Sequence, residues 1–140
     1  MIAAVECFVP LTYSIHPERS LVVVTRTHAV SADEWERFMA QIMSDPAFVR
    51  GLNLVDDSRA VTTVASRAEV ERAAGWINNH AGELGPARWA IVVAPSALAA
   101  FGMVRVAEAL TSGSGISLRP FTDLSAAYAW VNPAADRAWD

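Results

Sequence analysis

The sequence predicts a single α/β domain in which a mixed sheet packs against helices. Two β-rich runs near the start are joined by a short polar turn, which indicates an antiparallel hairpin. Three further β-type runs alternate with segments of helical periodicity, so the remaining strands are expected to be mainly parallel and the order to be ββαβαβαβα. The length of 140 residues matches one domain. We expect the core to span about residues 11–131 and the tail at 132–140 to be frayed.

The first half of the chain holds the hairpin and the first helix. The stretch TYSIHPERSLVVVTRT predicts two antiparallel strands around the turn HPER at residues 16–19. Ser31 and Glu34 have the spacing of a capping box, in which each side chain satisfies a backbone amide of the first helical turn. Apolar residues then recur every three or four positions up to Asp45 and Pro46, which predicts one amphipathic helix.

The second half repeats the alternation of strand and helix. LNLVDD, at residues 52–57, predicts a short buried strand, and Ser66 with Glu69 forms a second capping box that begins the second helix. Gly82 and the Gly-Pro pair at 85–86 are expected to end that helix. The apolar run ARWAIVVA is typical of a strand that is covered on both faces. A third helix from Pro95 and Ser96 to about residue 110, a strand at ISLRPF and a last helix over 124–131 complete the domain.

Charge and cysteine content restrict the function classes. Fifteen acidic residues against eleven basic ones, all arginine, give a net charge of −4 without a basic cluster, so we expect neither nucleic acid nor a membrane as partner. Cys7 is the single cysteine, which excludes an intrachain disulfide and favours a reducing, cytoplasmic location. The apolar start MIAAVECFVPL lacks a leading basic residue and is too short for a signal peptide or a membrane span.

Four segments of the sequence, in this order, resemble those of a known family: SLVVVTRTHAVSADEWERFMAQIMSDPAF, GLNLVDDSRAV, ALAAFGMVRVAEAL and LRPFTDLSAAYAWV. With this element order the chain resembles the bacterial SpoIIAA-like group of the STAS (anti-sigma-factor antagonist) fold, from about Tyr13 to Val131. Many members of that group have no assigned activity. The resemblance implies the STAS fold and a regulatory or protein-interaction role.

The resemblance also implies a candidate phosphorylation site. Well-studied STAS domains carry a phosphorylatable serine at the start of the helix after the third strand, in an Asp-Ser-Ser-Gly context. The counterpart here is the segment ASRA at residues 65–68, in which only Ser66 matches. Ser66 is therefore either a candidate phosphoacceptor or simply the cap of its helix, where its hydroxyl would accept a hydrogen bond from the amide of Glu69.

Asp56, Asp57 and Ser58 form a candidate polar site at the end of the third strand. Adjacent residues of an extended strand point to opposite faces, so Asp56 and Asp57 are not expected to act as a catalytic dyad. Ligands of open α/β sheets approach the carboxyl ends of the strands, which is where these three residues lie. The alternative is that their side chains bond to nearby backbone in a polar turn.

No constellation for metal binding or catalysis is visible in the sequence. His16, His28 and His80 show neither an i, i+4 pair nor a carboxylate at metal-ligand spacing, so no metal is expected. No cofactor fingerprint occurs either, and the chain contains no lysine for Schiff-base chemistry. A hydrolase or transferase would need Asp57 and Ser58 to converge with a histidine, and we therefore expect a protein that is not an enzyme.

The third helix carries two apolar stripes. Ala99, Met103, Val106 and Leu110 form the first stripe. The second is the candidate interface, and its members are Ala97, Phe101 and Val104 with the neighbouring charges Arg105 and Glu108. One stripe must face the sheet, and the other is either covered within the monomer or forms a symmetric homodimer.

Three hypotheses for the function follow. The first is a non-catalytic regulatory or protein-interaction module of STAS-like type. The second is a binder of a small apolar ligand in a pocket between helices, since five tryptophans and four methionines provide adaptable pocket walls. The third is an enzyme that uses Asp56, Asp57 or Ser58, which the absence of a visible nucleophile and base makes the least favoured.

Overall fold

The computed structural model describes residues 9–132. Its sheet has five strands in the order in which they occur along the chain. They are β1 (Leu11–His16), β2 (Leu21–Arg26), β3 (Asn53–Asp57), β4 (Ala87–Val92) and β5 (Ile116–Phe121). β1 and β2 are antiparallel, with Leu11 beside Arg26 and His16 beside Leu21, and all later neighbours are parallel. The predicted mixed sheet is confirmed.

Four helices connect and cover these strands. They are α1 (Ala32–Met43), α2 (Arg67–Leu84), α3 (Leu98–Leu110) and α4 (Leu124–Val131), and a short 3-10 turn at Pro17–Arg19 joins β1 to β2. The resulting order is ββαβαβαβα, as the sequence predicts. Each of the first three helices crosses between parallel neighbouring strands, which requires a connection of this length.

The helices divide unequally between the two faces of the sheet. One face packs against α1, α2 and α3, in a core that includes Val22, Leu54 and Trp89 from the strands with Met39 and Ile77 from the helices. We call this the three-helix face. The opposite face, the α4 face, holds a smaller core. Its buried residues are Leu21, Val55, Ala90, Val92, Ala127 and Val131.

Alternation along each strand assigns the residues to these faces. In β3, Leu54 belongs to the three-helix face and Val55 to the α4 face. In β4, Trp89 and Ala90 divide in the same way, with exposures of 4% and 0%. The prediction that this apolar strand is covered on both faces is therefore confirmed.

Two asparagines attach the end of α4 to the sheet. The side-chain amide of Asn53 donates to the carbonyl of Val131, and its oxygen accepts from the backbone N–H of Arg88 at 2.8 Å. Asn132 donates to the carbonyl of Arg19. Asn132 is thus bonded to the hairpin turn, which contradicts a frayed tail at this residue, and the rest of the predicted tail lies outside the described residues, as does Cys7.

Both predicted capping boxes are present. The hydroxyls of Ser31 and Ser66 each accept from the N–H three residues on at 3.1 Å, and the carboxylates of Glu34 and Glu69 each accept from the serine N–H at 2.8 Å. These bonds satisfy amides that have no partner within the helix. The hydrogen bonds from the backbone and hydroxyl of the serines lower the pKa of both glutamates.

Two helix boundaries differ from the prediction. α2 continues through Gly82 and ends at Leu84, since Gly85 is its C-terminal cap. A glycine inside a helix costs only about 1 kcal/mol, which the buried packing of Leu84 on the same helix can offset. α3 begins at Leu98 with Ala97 as its cap, and no side chain bonds to its first turn.

Between residues 9 and 132, no helix has the length and apolar character needed to cross a membrane.

We predict that Ser66→Ala lowers the free energy of unfolding by about 1 kcal/mol, because the amide of Glu69 loses its acceptor. Urea denaturation measures the change. Ser96→Ala is the matched control, since Ser96 is exposed and no side chain caps the first turn of α3. An equal loss in both variants, or none in Ser66→Ala, would contradict the capping role.

Candidate functional site

A cavity of about 340 Å³ lies between the three-helix face of the sheet and the helices α1, α2 and α3. Its floor is formed by strand residues that include Val24, Leu54, Trp89, Ile91 and Leu118. The loops that follow β2, β3 and β4 contribute Val30, Val64 and Val93. The cavity therefore sits at the carboxyl ends of the strands, where ligands of open α/β sheets bind.

Small side chains on the helices leave this space open. Larger residues such as Trp35, Met39 and Met103 line it as well, but four of the helical positions that face it are alanines. These are Ala32, Ala73, Ala100 and Ala107. Farther along, α1 and α2 fill the same layer with large residues, Ile42 and Leu84, which are 1% and 2% exposed. The core is thus tightly packed at one end and hollow at the other.

A buried ion pair forms the polar end of the cavity. A terminal nitrogen of the Arg26 guanidinium donates to Oδ2 of Asp56 at 2.9 Å, and the Ser58 hydroxyl donates to Oδ1 at 2.6 Å. Asp56 is only 5% exposed, whereas the Arg26 side chain retains 23% of its surface. Arg26 ends β2 and Asp56 lies on the neighbouring β3, so parallel pairing brings the two charges together. The Nε–H of Arg26 is buried and has no acceptor among residues 9–132.

Two further carboxylates line the cavity, and both are engaged. Glu36 accepts from Nε of Arg72 at 2.9 Å, and Arg72 also bonds to Asp33, so this exposed group connects α1 with α2. Glu69 belongs to the capping box of α2. The hydrogen bonds that Arg72 donates to Glu36 and Asp33 raise its pKa, so it remains a cation.

The connector between β3 and α2 forms part of the cavity wall. Val61, Thr63, Val64 and Ala65 all line it, together with Ser58 at the start of the connector. Val64 is nevertheless 48% exposed, which places this residue at the rim. The stretch after the aspartates thus ends a strand, begins a helix and borders the candidate site.

The structure separates Asp57 from Asp56 and Ser58. Asp57 lies toward the α4 face, where the Arg59 guanidinium donates to both of its carboxylate oxygens at 2.8 Å. Those hydrogen bonds lower the pKa of Asp57, and burial raises the pKa of the nearby Tyr128. The prediction that Asp56 and Asp57 point to opposite faces is confirmed. Asp56 and Ser58 are brought together at the cavity, and Asp57 is not.

The histidines occupy three separate places. His16 bonds to Ser14 at 2.9 Å and His28 to Thr27 at 3.1 Å, while His80 stacks on Trp76 with ring centroids 4.1 Å apart. No histidine from the described part of the chain lines the cavity beside Asp56 and Ser58. Over the same residues, no three histidine, cysteine or carboxylate side chains gather in a group that could hold a metal ion.

Ser66, the candidate phosphoacceptor, is exposed at the start of α2. Its hydroxyl accepts from the amide of Glu69. The arginines nearby are already paired, Arg67 with Glu71 at 3.0 Å and Arg72 with Asp33 and Glu36. Phosphorylation of Ser66 stays a prediction of the resemblance.

α3 presents a different face to the sheet than its stripes predict. Ala100, Met103, Val104 and Ala107 line the cavity, whereas Ala99 is exposed and Leu110 is 37% exposed. The prediction that one of the two stripes faces the sheet was therefore wrong, because the inward face takes Met103 from one stripe and Val104 from the other.

The remaining candidate interface residues lie beside that inward face. Ala97, Phe101 and Glu108 are half-buried, and Arg105 is exposed. The Arg105 guanidinium lies 5.7 Å from the centroid of the Phe101 ring and 3.5 Å from a carboxylate oxygen of Glu108. Leu98, on the same helix, is 79% exposed. The outer flank of α3 thus combines apolar and charged groups.

The sequence analysis did not find the apolar lining of the cavity, such as Trp35 and Trp89, nor the polar residue Arg26. A basic residue at the end of an apolar strand was a usable signal, since strand ends are where α/β ligands bind. The contact of this residue with Asp56 could not be predicted, however, because the order of elements along the chain does not fix that β2 lies beside β3.

We predict that Arg26→Met lowers the free energy of unfolding by about 3 kcal/mol, because Asp56 would remain buried with only the Ser58 hydroxyl as donor. In the double variant Arg26→Met/Asp56→Leu, most of that loss should be recovered, since an apolar pair of similar volume can replace a buried ion pair. Urea denaturation at pH 7 measures both. A double variant less stable than Arg26→Met would contradict this account.

Comparison with known proteins identifies the fold. No protein-family model matches this chain, and no curated protein matches it in sequence. Among solved structures, an uncharacterised protein of the DUF3478 family from Shewanella loihica, described as having a SpoIIAA-like fold, is similar with a TM-score of 0.58. The match covers 86% of this chain and 91% of that one, at 14% identity. The chain therefore has a SpoIIAA-like fold.

Proposed function

We propose that this protein is a non-catalytic, cytoplasmic module that binds a small, mainly apolar molecule in the cavity between the sheet and α1, α2 and α3. The observation that carries the proposal is the cavity itself, about 340 Å³ with largely apolar walls at the carboxyl ends of the strands. Cavities of small-molecule sites have volumes of roughly 300–1,000 Å³ and combine apolar walls with a few polar groups.

The residues that line the cavity are suited to binding a molecule rather than to converting it chemically. Trp35, Met39, Trp89 and Met103 supply aromatic and polarisable surface, which adapts to apolar molecules. The polar groups gather at one end, where Arg26, Asp56 and Ser58 bond mainly to one another. Such an arrangement would orient a bound molecule. The hydroxyl of Ser58 donates to a carboxylate that Arg26 already neutralises, and no histidine of the described residues lines the cavity to act as its base.

A small probe and a cavity-filling substitution test this function. We expect 1-decanol to bind with one-to-one stoichiometry, to change tryptophan fluorescence through Trp35 and Trp89, and to raise the thermal unfolding temperature by mass action. Ala100→Phe should weaken this binding at least about tenfold, because the larger ring occupies the space that the ligand needs.

Ala99→Phe is the matched control. Ala99 precedes Ala100 on α3 but is exposed and does not line the cavity, so its substitution should leave binding unchanged. Circular dichroism confirms that both variants are folded. Equal binding by wild type and Ala100→Phe, or no saturable binding by wild type, would contradict the proposal.

A second candidate function is interaction through the outer flank of α3, in the simplest case as a homodimer. It is supported by the 79% exposure of Leu98 beside Phe101 and Arg105, since aromatic residues and arginine are enriched in interfaces. A regulatory module of STAS-like type would use such a surface to meet its protein partner.

We predict that Phe101→Asp converts a dimer to a monomer, because it replaces the aromatic ring beside Arg105 with a charge that the contact would have to desolvate. Light scattering after gel filtration measures the mass. Val49→Asp is the control, since Val49 is 59% exposed outside the helices. Wild type that remains monomeric at high concentration would contradict the dimer.

A further inference from the structure

The charges around the cavity are unbalanced. Among the described residues, Arg26 is the basic side chain that lines it, and the acidic ones are Glu36, Asp56 and Glu69. The positive charge of Arg26 is already neutralised by Asp56 at 2.9 Å. Glu36 forms an ion pair with Arg72, whose side chain does not line the cavity, and Glu69 belongs to the capping box of α2. An anionic group in the cavity would therefore lie beside three carboxylates, and Arg26 and Arg72 each already pair with one of them.

The carboxylate of Glu69 persists at neutral pH. Hydrogen bonds from the backbone N–H and the hydroxyl of Ser66 stabilise its charged form and lower its pKa. Asp56 likewise lies at the cavity, where it accepts hydrogen bonds from both Arg26 and Ser58. A ligand carboxylate would thus meet fixed negative charge, and its hydration would be lost without a free cation in compensation.

The polar end of the cavity can still donate hydrogen bonds. Arg26 carries five N–H groups, of which a terminal one reaches Asp56, and its side chain keeps 23% of its surface exposed where it lines the cavity. The Ser58 hydroxyl is occupied by Asp56, so the guanidinium is the donor available to an incoming molecule.

We infer that the cavity selects neutral molecules with an apolar body and one hydrogen-bond acceptor, such as a ketone, ester or alcohol, and that it discriminates against free carboxylic acids. The acceptor oxygen receives a hydrogen bond from the guanidinium of Arg26, and the apolar body lies against Leu54, Trp89 and Met103. This inference rests on the proposed binding function. The volume of about 340 Å³ suits a body of roughly ten non-hydrogen atoms at about 30 Å³ each.

Three probes with ten carbon atoms each separate the effect of a hydrogen-bond acceptor from the effect of a negative charge. 2-Decanone carries a neutral acceptor, decanoate at pH 8 carries an anion, and 1-decene carries no oxygen. Binding is followed by tryptophan fluorescence and by ligand-observed NMR. We expect 2-decanone to bind at least about tenfold more tightly than decanoate, because the anion would lose its hydration beside carboxylates.

The double variant Arg26→Met/Asp56→Leu tests the role of the guanidinium without leaving a buried charge unpaired. We expect the ratio of 2-decanone affinity to 1-decene affinity to fall about tenfold in this variant, since the donor to the ketone is gone. Ala99→Phe, on the exposed side of α3, should keep the wild-type ratio.

The outcomes distinguish this inference from the function on which it rests. If decanoate binds as tightly as 2-decanone, or the affinity ratio is the same in wild type and the double variant, the selectivity for neutral acceptors is wrong while binding in the cavity stands. If wild type binds none of the three probes, the proposed function fails and this inference fails with it.

Discussion

Three successive crossovers between parallel neighbours run in the same direction across the sheet, and this constraint places α1, α2 and α3 on one face. Crossovers of this kind take the right-handed sense, so helices that follow a sheet from one edge to the other cannot alternate between its sides. α4 follows the last strand and has no further strand to reach. It returns across the opposite face, where it covers the apolar residues of β3 and β4 that parallel strands must bury.

The candidate cavity is a consequence of this one-sided layer. Three helices lie side by side over the same face, and the depth of the space beneath them depends on the side chains that they point inward. Large residues such as Ile42 and Leu84 close the layer near the amino ends of the strands. Toward the carboxyl ends, the small side chains of Ala32, Ala73 and Ala100 leave part of it open, and helix termini and loops there provide polar groups beside apolar walls. The fold thus places the space where its polar groups already converge.

The ion pair between Arg26 and Asp56 has a different significance. Desolvation of two charges offsets much of their attraction, so an apolar pair of similar volume would give comparable stability. A charged pair at this position is therefore better explained by what it presents to the cavity than by its contribution to folding. It gives one end of an apolar space a fixed donor, and Asp56 keeps that donor from acting as an unpaired cation.

Local patterns in the sequence determined the elements and most of their termini, although α2 passes through Gly82 and α3 begins only at Leu98. The hairpin turn at 16–19, the capping boxes at Ser31 and Ser66 and the opposite orientations of Asp56 and Asp57 all follow from interactions within a few residues, and all are present. Only the tertiary structure decided that β2 lies beside β3, so that Arg26 meets Asp56, and which side of α3 faces the sheet. Periodicity defines the apolar stripes of a helix, but which side is buried depends on the neighbours against which the helix packs. A cavity forms between surfaces of several elements, so no single segment of the sequence predicts it.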